Sequence, residues 1–531
     1  MSTNISKEKR EQLVAKIGAI KDYIAAARQD ENTARLLAYI ADIEKDIKSK
    51  KYGLVFEEHR EKVDEILEEN TPVLTEDKGL FIDNGGQMNF LIEGDNLAAL
   101  QLLEKTHKGK IDLIYIDPPY NRGKSTDRDF IYDDNFVDVN DAFRHSKWLS
   151  FMAKRLEIAK KLLSDDGVIF ISIDDNEQAS LKLLCDDVFN ADNFVGTIIH
   201  QRAKGGGQAK HIVKGHDYIH LYSRKISNVH LSRKKEIEIT PKMKLINGKY
   251  YIKNDDVIRK SFGKYDKSMD RRCFYEEIVK YKGEKKKAEI DAKLASGEYF
   301  LEEKNGNHII CEYLPVEGAR AKIYSIIKVL SEEGKSELNE LQITSFDYPK
   351  PVALVQQLCD SNNKRNSVIL DFFAGSGTTG HAVMKLNAED GGTRKFILCT
   401  NNENNICRDV TYERIKRVIE RDQYEASLKY YKVDYVPISD KMYYEYADEL
   451  LKHIRELVEL ENGINFNGNA EIAIILKEQE LDEFADKLPS ECQAIYLGHD
   501  VLPNKEQETL FKEHGIAVHI IPDYYYRELE G

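Results

Sequence analysis

No run of 18 apolar residues occurs in the 531-residue chain, so no membrane span is expected. The opening residues, MSTNISKEKREQLV, contain no apolar stretch of the secretory kind, and no signal peptide is expected. The seven cysteines, at 185, 273, 311, 359, 399, 407 and 492, are odd in number, scattered and never arranged as C-x-x-C. That excludes a zinc ribbon and a disulfide framework, and points to a reducing, cytoplasmic location. Internal repeats and low-complexity tracts are also absent. What the chain does have is length for several domains, at about 150 residues each, and 41% hydrophobic with 32% charged residues, the balance of a folded chain. Its 78 Lys+Arg against 92 Asp+Glu give −14, which at first sight opposes binding to a polyanion. The distribution reverses that: residues 201–300 hold 25 basic and 13 acidic residues, a local +12, leaving −26 for the rest.

Periodicity divides the chain. Residues 1–88 read as a helical region, with Leu13, Ile17, Ile20 and Ile24 on one stripe and TARLLAYIADIEKDI repeating the pattern. A hairpin packed on the main body is the plain expectation, and an arm for dimerisation or partner docking is the alternative. Over 89–225, strands (NFLI, IDLIYI, GVIFISI) alternate with helices (LAALQLLEK, WLSFMAKRLEIAKKLL, EQASLKLLCDDVF), the signature of a parallel α/β sheet. GTIIHQR and DYIHLYSRK read as an antiparallel pair at the sheet's edge. Residues 226–345 break the rhythm with Lys-rich, mixed sequence, and α/β alternation resumes over 346–430. A smaller α/β unit follows over 431–531, with strands at EIAIILK, AIYLGHD and VHIIPDYYY.

Three short segments carry candidate chemistry. Asp117-Pro118-Pro119-Tyr120 ends an apolar strand. An exocyclic amine on a nucleobase is a poor nucleophile, because its lone pair is delocalised into the ring. A carboxylate at Asp117 and a carbonyl at Pro118 can each accept one amine hydrogen. Pro118 and Pro119 stiffen the turn, and Tyr120 offers a face to a base taken out of the stack. A strand-ending turn with a chance aromatic is the other reading. The second segment is Asp371-Phe372-Phe373-Ala374-Gly375-Ser376-Gly377-Thr378, between a strand and a helix. Its glycines allow close backbone approach, and the helix start has free N–H groups. No Lys follows the glycines, so this is not a Walker A loop, and Gly380 is read as one residue out of place for G-x-G-x-x-G. A tight strand–helix turn without a ligand is equally compatible. The third segment is Glu93-Gly94-Asp95-Asn96, where Asp95 can cap a helix, accept from an adenine amine, or both. His211, His216 and His220 lie near a strand without Cys or a paired acid, so no metal site is expected.

Taken together, these segments resemble the β-group amino-methyltransferases of DNA, in which D-P-P-Y precedes F-x-G-x-G with a target-recognition region between. FLIEGDNLAALQLL, LIYIDPPYN, WLSFMAKRLEIAKKLLSDDGVIFISIDDNE, HDYIHLYSRK, DFFAGSGTTGHAVMKLN and RKFILCTNNENN are similar to the Mod subunits of type III restriction–modification systems, over about residues 52–430. The resemblance implies a class I S-adenosylmethionine-dependent methyltransferase fold, Rossmann-like and circularly permuted, with an inserted target-recognition domain at 226–345. It implies S-adenosyl-L-methionine as cofactor and double-stranded DNA as substrate, with a homodimer and a Res helicase–nuclease as partners. Asp117 to Tyr120 would hold the target amine, and Asp371 to Thr378 the methionine part of the cofactor, with Phe373 near it. Asp95 would meet the cofactor's adenine and Glu403, in CTNNENN, its ribose. Tyr348-Pro349-Lys350-Pro351 resembles the segment packed beside the cofactor.

Adenine N6 is the expected acceptor and cytosine N4 the alternative, since the cytosine-N4 relatives more often carry Ser where Asp117 stands. An RNA or protein-glutamine acceptor fits less well, because those relatives carry Asn-Pro-Pro-Tyr and usually place the glycine segment first. A DNA-recognition subunit of a larger defence complex is a further alternative. The chain shows no Walker A or nuclease motif, so translocation and cleavage are not expected of it alone. No Pro-Cys pair occurs, which leaves thiolate-based methylation of carbon-5 without support.

Overall fold

IDLIYI, GVIFISI, VILD and KFILCT are apolar on both strand faces, as suits the middle of a parallel sheet covered by helices on either side. A computed structural model describes residues 5–26, 31–48, 56–123, 131–132, 135–138, 140–205, 211–235, 239–241, 243–260, 270–316, 318–438, 450, 452–466, 470–498 and 500–521. It places those four runs side by side. We number the strands of the main sheet in chain order: β1 Asn70–Glu76, β2 Gln87–Glu93, β3 Ile111–Ile116, β4 Leu163–Ile173, β5 Phe194–Gln201, β6 His216–Ser223, β7 Ile326–Lys328, β8 Val368–Asp371, β9 Lys395–Thr400 and β10 Ala426–Pro437. Across the sheet they run β1-β10-β2-β9-β8-β3-β4-β6-β5-β7. From β10 to β4 neighbours are parallel; β1 is antiparallel to β10, and β6 lies reversed between β4 and β5. At the centre β8 pairs with β3, Leu370 opposite Ile114, so segments far apart in the chain emerge at the same sheet edge. This is the permuted, Rossmann-like α/β sheet that the resemblance implies.

Both faces are covered. Helices Asn96–His107, Arg144–Leu162, Gln178–Phe189 and Ile454–Asn462 supply Leu100, Trp148, Leu181 and Leu457 to one core. Helices Ser331–Glu340, Val352–Cys359, Thr378–Asp390 and Glu413–Asp422 supply Leu338, Val355, Val383 and Ile415 to the other. Lys429 of β10 is buried between Glu459 at 2.5 Å and Glu76 at 3.1 Å, tying β10 to β1 and to the helix Ile454–Asn462. A buried cation persists only with such partners, and removing one carboxylate would cost several kcal/mol.

The structure departs from the sequence expectations at three places. The N-terminal region is not all helix: its last part, β1, joins the main sheet, because Val73 and Leu74 bury against the core. The antiparallel pair β5/β6 is present but does not form the edge, which β7 takes by pairing parallel with β5. And the inserted segment has narrower limits than its Lys-rich composition suggests. The chain enters and leaves through a ribbon in which Arg233–Lys234 pairs with Arg320–Ala321. Between them, Lys244–Ile246, Lys249–Asn254, Tyr299–Lys304 and Asn307–Pro315 form an antiparallel sheet, with its own small core around Cys273, Ile278, Ile290 and Ile310. Past the ribbon, β7 and Ser331–Glu340 pack with the main body. Much of the insert's basic surplus is paired locally, as in Lys253–Glu302, Lys260–Glu277 and Lys287–Asp291.

The N-terminal helices Ile5–Ala26 and Glu31–Lys48 pack on one another, with Ile17 and Ile24 buried and Leu13, Ile20, Tyr23, Leu36, Tyr39 and Ile43 exposed. The C-terminal unit holds a parallel sheet of Ile472–Ile475, Ala494–Leu497 and Ala517–Ile520 over a separate core. The ends of two expected elements there, 447–449 and 522–526, lie outside the described residues. Among the described residues no helix is long and apolar enough to cross a membrane.

Candidate active site

Ligands of open α/β sheets sit at the carboxyl ends of the strands, and β3 and β8 deliver the two motif segments to neighbouring ends. Leaving β3, Asp117 starts a loop that is held from several sides. The Tyr120 hydroxyl donates to Asp117 Oδ1 at 2.6 Å, and the ring is 6% exposed. Burial and the Asp117 charge raise the Tyr120 pKa, so the phenol keeps its proton. The indole N–H of buried Trp148 donates to the Pro119 carbonyl at 2.7 Å. Of the two carbonyls stiffened by prolines, that leaves the Pro118 oxygen without a hydrogen bond among the described residues. Asn121, at φ +54°, donates its amide to buried Glu177 at 2.6 Å. Arg122 pairs with Asp174 at 3.2 Å and lies over the Tyr120 ring, 5.2 Å from its centre.

The glycine turn after β8 is fixed from behind. Asp371 is buried, accepting from the Phe373 N–H at 3.0 Å and the Thr379 hydroxyl at 2.5 Å, and burial pushes its pKa up to about 7. Gly375 and Gly377 stand at φ +49° and +75°, a region that glycine enters at little cost. Ser376 and Thr378 turn inward, where the buried Arg414 guanidinium donates to their hydroxyls at 3.0 and 2.8 Å. Against the expectation from the sequence, Gly380 is in register and completes a G-x-G-x-x-G spacing with Gly375 and Gly377. A Cβ on Gly380 would stand 2.6 Å from Ile415 Cδ1, so this glycine lets the helix press against its neighbours.

The end of β2 supplies the third wall. Asp95 caps the helix Asn96–His107, accepting from the Leu97 N–H at 2.7 Å, a contact worth about 1 kcal/mol. Its other oxygen lies 3.6 Å from Arg155, a buried cation that also holds Glu61 at 2.9 Å and Asn96 at 2.5 Å. The Asn96 amide donates to the Phe372 carbonyl at 3.0 Å, linking the β2 end to the glycine turn. Glu93 is engaged elsewhere, by the Tyr430 hydroxyl and by Arg408 at 3.2 Å. Sequence reading also missed Arg155 and Trp148, and the link Asn96 makes to Phe372, because the partners are too distant in the chain to leave a local signal.

These walls enclose an open cavity of about 690 Å³, within the range of small-molecule sites. Asp117, Pro118, Pro119 and Tyr120 line one part, and Asp95, Phe372, Phe373, Gly375 and Glu403 another. Asp371, Ala374, Ser376, Gly377 and Thr378 do not line it; they stand behind the wall and shape the turn. Lys350, Asp217 of β6, Arg202, Lys335 and Tyr348 also line the cavity. The chemistry on offer is a carboxylate and a bare carbonyl beside an aromatic ring, opposite a glycine-floored, partly acidic recess. His220 is buried and bonded to Thr197 and to the Gln178 carbonyl, and among the described residues no cluster of His, Cys, Asp and Glu could hold a metal.

Comparison with known proteins gives a match of residues 111–413 to a family model described as DNA methylase of the N6/N4 type. The Mod subunit of the type III restriction–modification enzyme StyLTI of Salmonella typhimurium is 31% identical over 63% of this chain and 56% of its own. The EcoPI Mod subunit of Escherichia phage P1 is 31% identical over 60% of this chain and 58% of its own. The type II methyltransferase M.KpnI of Klebsiella pneumoniae is 36% identical over 58% of this chain and 79% of its own. The chain thus spans little more than half the length of the two type III relatives. A solved structure, the cytosine-N4-specific PvuII DNA methyltransferase, aligns over 65% of this chain and 97% of its own at 12% identity and a TM-score of 0.34.

Proposed function

The chain belongs to the N6/N4 DNA methylase family, and on that premise we propose that it methylates adenine N6 of a base flipped from double-stranded DNA, using S-adenosyl-L-methionine, as the Mod subunit of a type III restriction–modification system. The observation that carries this reading is a single cavity joining the Asp117–Tyr120 loop to the glycine turn.

The recess suits the cofactor by its chemistry. Glu403 offers a carboxylate for ribose hydroxyls, Asp95 for an adenine amine, and Phe372 and Phe373 apolar surface. Gly375 leaves open the space a Cβ would fill beside Phe346, 3.4 Å away. When bound, the cofactor supplies an electrophilic methyl group on a sulfonium. The chain's own part is positioning and electrostatics. Asp117 and the Pro118 carbonyl take one amine hydrogen each, which holds the nitrogen and directs its lone pair. Tyr120 presents its ring to the base, and Trp148, bonded to the Pro119 carbonyl, keeps the loop from turning. Asp371, Ser376 and Thr378 set the turn rather than touch the ligand.

A homodimer and a Res helicase–nuclease partner belong to the same proposal, as does a cytoplasmic location. The type III Mod relatives support the Res partner. The exposed apolar residues of the N-terminal hairpin support self-association, and the seven free cysteines a reducing compartment. The insert between the Arg233 and Arg320 ribbons would read the DNA sequence.

The test is incubation of the purified chain with methyl-labelled S-adenosylmethionine and mixed genomic DNA, followed by nucleoside mass spectrometry. Label in N6-methyladenine is expected. Label in N4-methylcytosine would replace the base assignment, and no label in any nucleoside would overturn the reading.

A further inference from the structure

Lys350 lines the cavity beside the acceptor loop, and its backbone also touches the helix that follows the glycine turn. Its ammonium donates to the Tyr120 hydroxyl at 2.6 Å and lies 3.1 Å from Asp117 Oδ1 and 3.8 Å from Asp217 Oδ2. The same Oδ1 accepts the Tyr120 hydroxyl at 2.6 Å. The Tyr120 hydroxyl thus donates to Asp117 Oδ1 while the ammonium is ion-paired with the same oxygen, whereas Oδ2 has no hydrogen bond among the described residues. The carboxylate cannot rotate without breaking both contacts.

The lysine itself is braced. Its carbonyl accepts from the Thr378 hydroxyl at 3.1 Å, at the first residue of the glycine-turn helix. Pro349 and Pro351 flank it, and helix Ser331–Glu340 presses so close that a Cβ on Gly334 would stand 2.3 Å from the Pro349 carbonyl oxygen. Opposite lies Asp217, 3% exposed, with Oδ1 free of hydrogen bonds, 3.5 Å from Arg202. This second carboxylate draws the ammonium away from lying wholly on Asp117.

We propose that Lys350 is a positioning residue for methyl transfer: it pins Asp117 through Oδ1 and Tyr120 through its hydroxyl, so that Asp117 Oδ2 alone faces the target amine. Through its backbone it carries the placement of the glycine turn to the acceptor loop. This rests on the reading of Asp117 as the amine acceptor. A lysine is suited to the task because its compact ammonium can donate to the Tyr120 hydroxyl while staying ion-paired with Asp117 and Asp217.

The test compares wild type, Lys350→Met, Lys350→Arg, Tyr120→Phe and the Tyr120→Phe Lys350→Met double variant. The readouts are single-turnover methyl transfer, cofactor affinity, DNA affinity and flipping of 2-aminopurine placed at the target. Lys350→Met is expected to lower the transfer rate about 100-fold, the size of loss seen when one preorganised donor is removed. Cofactor and DNA affinities should stay within about threefold, which a merely structural role would not guarantee. Lys350→Arg should restore at least a tenth of the rate, and Tyr120→Phe in the Lys350→Met background should cost much less than in wild type. Wild-type rates in Lys350→Met, or a loss confined to cofactor affinity, would overturn the positioning role while wild-type methylation stands. A wild-type chain that methylates no DNA overturns the amine-acceptor reading and this inference with it.

Discussion

Alanine at Gly375 and at Gly377 separates the floor of the recess from its support. Both glycines stand at positive φ, +49° and +75°, where an L-residue pays about 1–2 kcal/mol. Their surroundings differ. At Gly375 a Cβ would meet Phe346 Cζ at 3.4 Å, an ordinary contact, on the cavity wall. At Gly377 it would meet Thr411 Cγ2 at 3.2 Å and the Thr411 carbonyl at 3.3 Å, away from the cavity. Thr411 cannot yield freely, because its hydroxyl donates to the Gly375 carbonyl at 2.6 Å. Gly375→Ala should therefore leave folding within about 2 kcal/mol of wild type. It should weaken cofactor binding about tenfold or more, since binding must restore the strained turn and accept a methyl in its space. Gly377→Ala should lose about 2–3 kcal/mol of stability, from backbone strain plus crowding. Its cofactor affinity should fall only as far as the turn moves. Calorimetric titration of S-adenosylmethionine, with thermal melts of each variant, reads both. Wild-type affinity in Gly375→Ala, or wild-type stability in Gly377→Ala, would refute the assignment of floor and support.

Asp371 should make stability depend on pH. Its folded pKa of about 7 lies above the ordinary 3.8, so the stabilisation is complete below about pH 4 and is lost as pH rises through about 7; the gap bounds the loss at about 4 kcal/mol. Asp371→Asn should flatten this slope in denaturant melts between pH 5 and 8, and an unchanged slope would contradict it. Asp117→Ala should abolish methyl transfer while calorimetry still shows cofactor binding; loss of binding would move Asp117 into the cofactor site. Exchanging residues 235–319 for a homologue's insert should change the methylated sequence without changing the transfer rate at its own site, and an unchanged sequence would remove the insert from recognition.

The sheet was legible because its strands are apolar on both faces and alternate with amphipathic helices at short intervals. The acceptor loop and the glycine turn were legible for a different reason: each compresses its chemistry into a few adjacent residues. β1 was hidden by its setting, since NTPVLTE follows a helix without a break, carries a proline, and has its partner, β10, in the second half of the chain. The inward aim of Ser376 and Thr378 was hidden too, because only the fold shows that Arg414 waits behind them. Lys350 was named only as one residue of the segment Tyr348-Pro349-Lys350-Pro351, since its bond to Tyr120 spans the inserted unit and no spacing announces it. Gly380 was readable from its spacing alone, and the packing of Ile415, Leu398 and Phe396 around it shows why a glycine stands there.

We propose above that the chain places a methyl group on adenine N6 at a defined DNA sequence. The most direct measurement is expression in a host free of DNA methylation, followed by methylation-sensitive sequencing of its genome, with Asp117→Ala as the control. N6-methyladenine at one recurring sequence, lost in the variant, is the expected result. A genome left unmodified by the wild type, or equal modification in the variant, would contradict it.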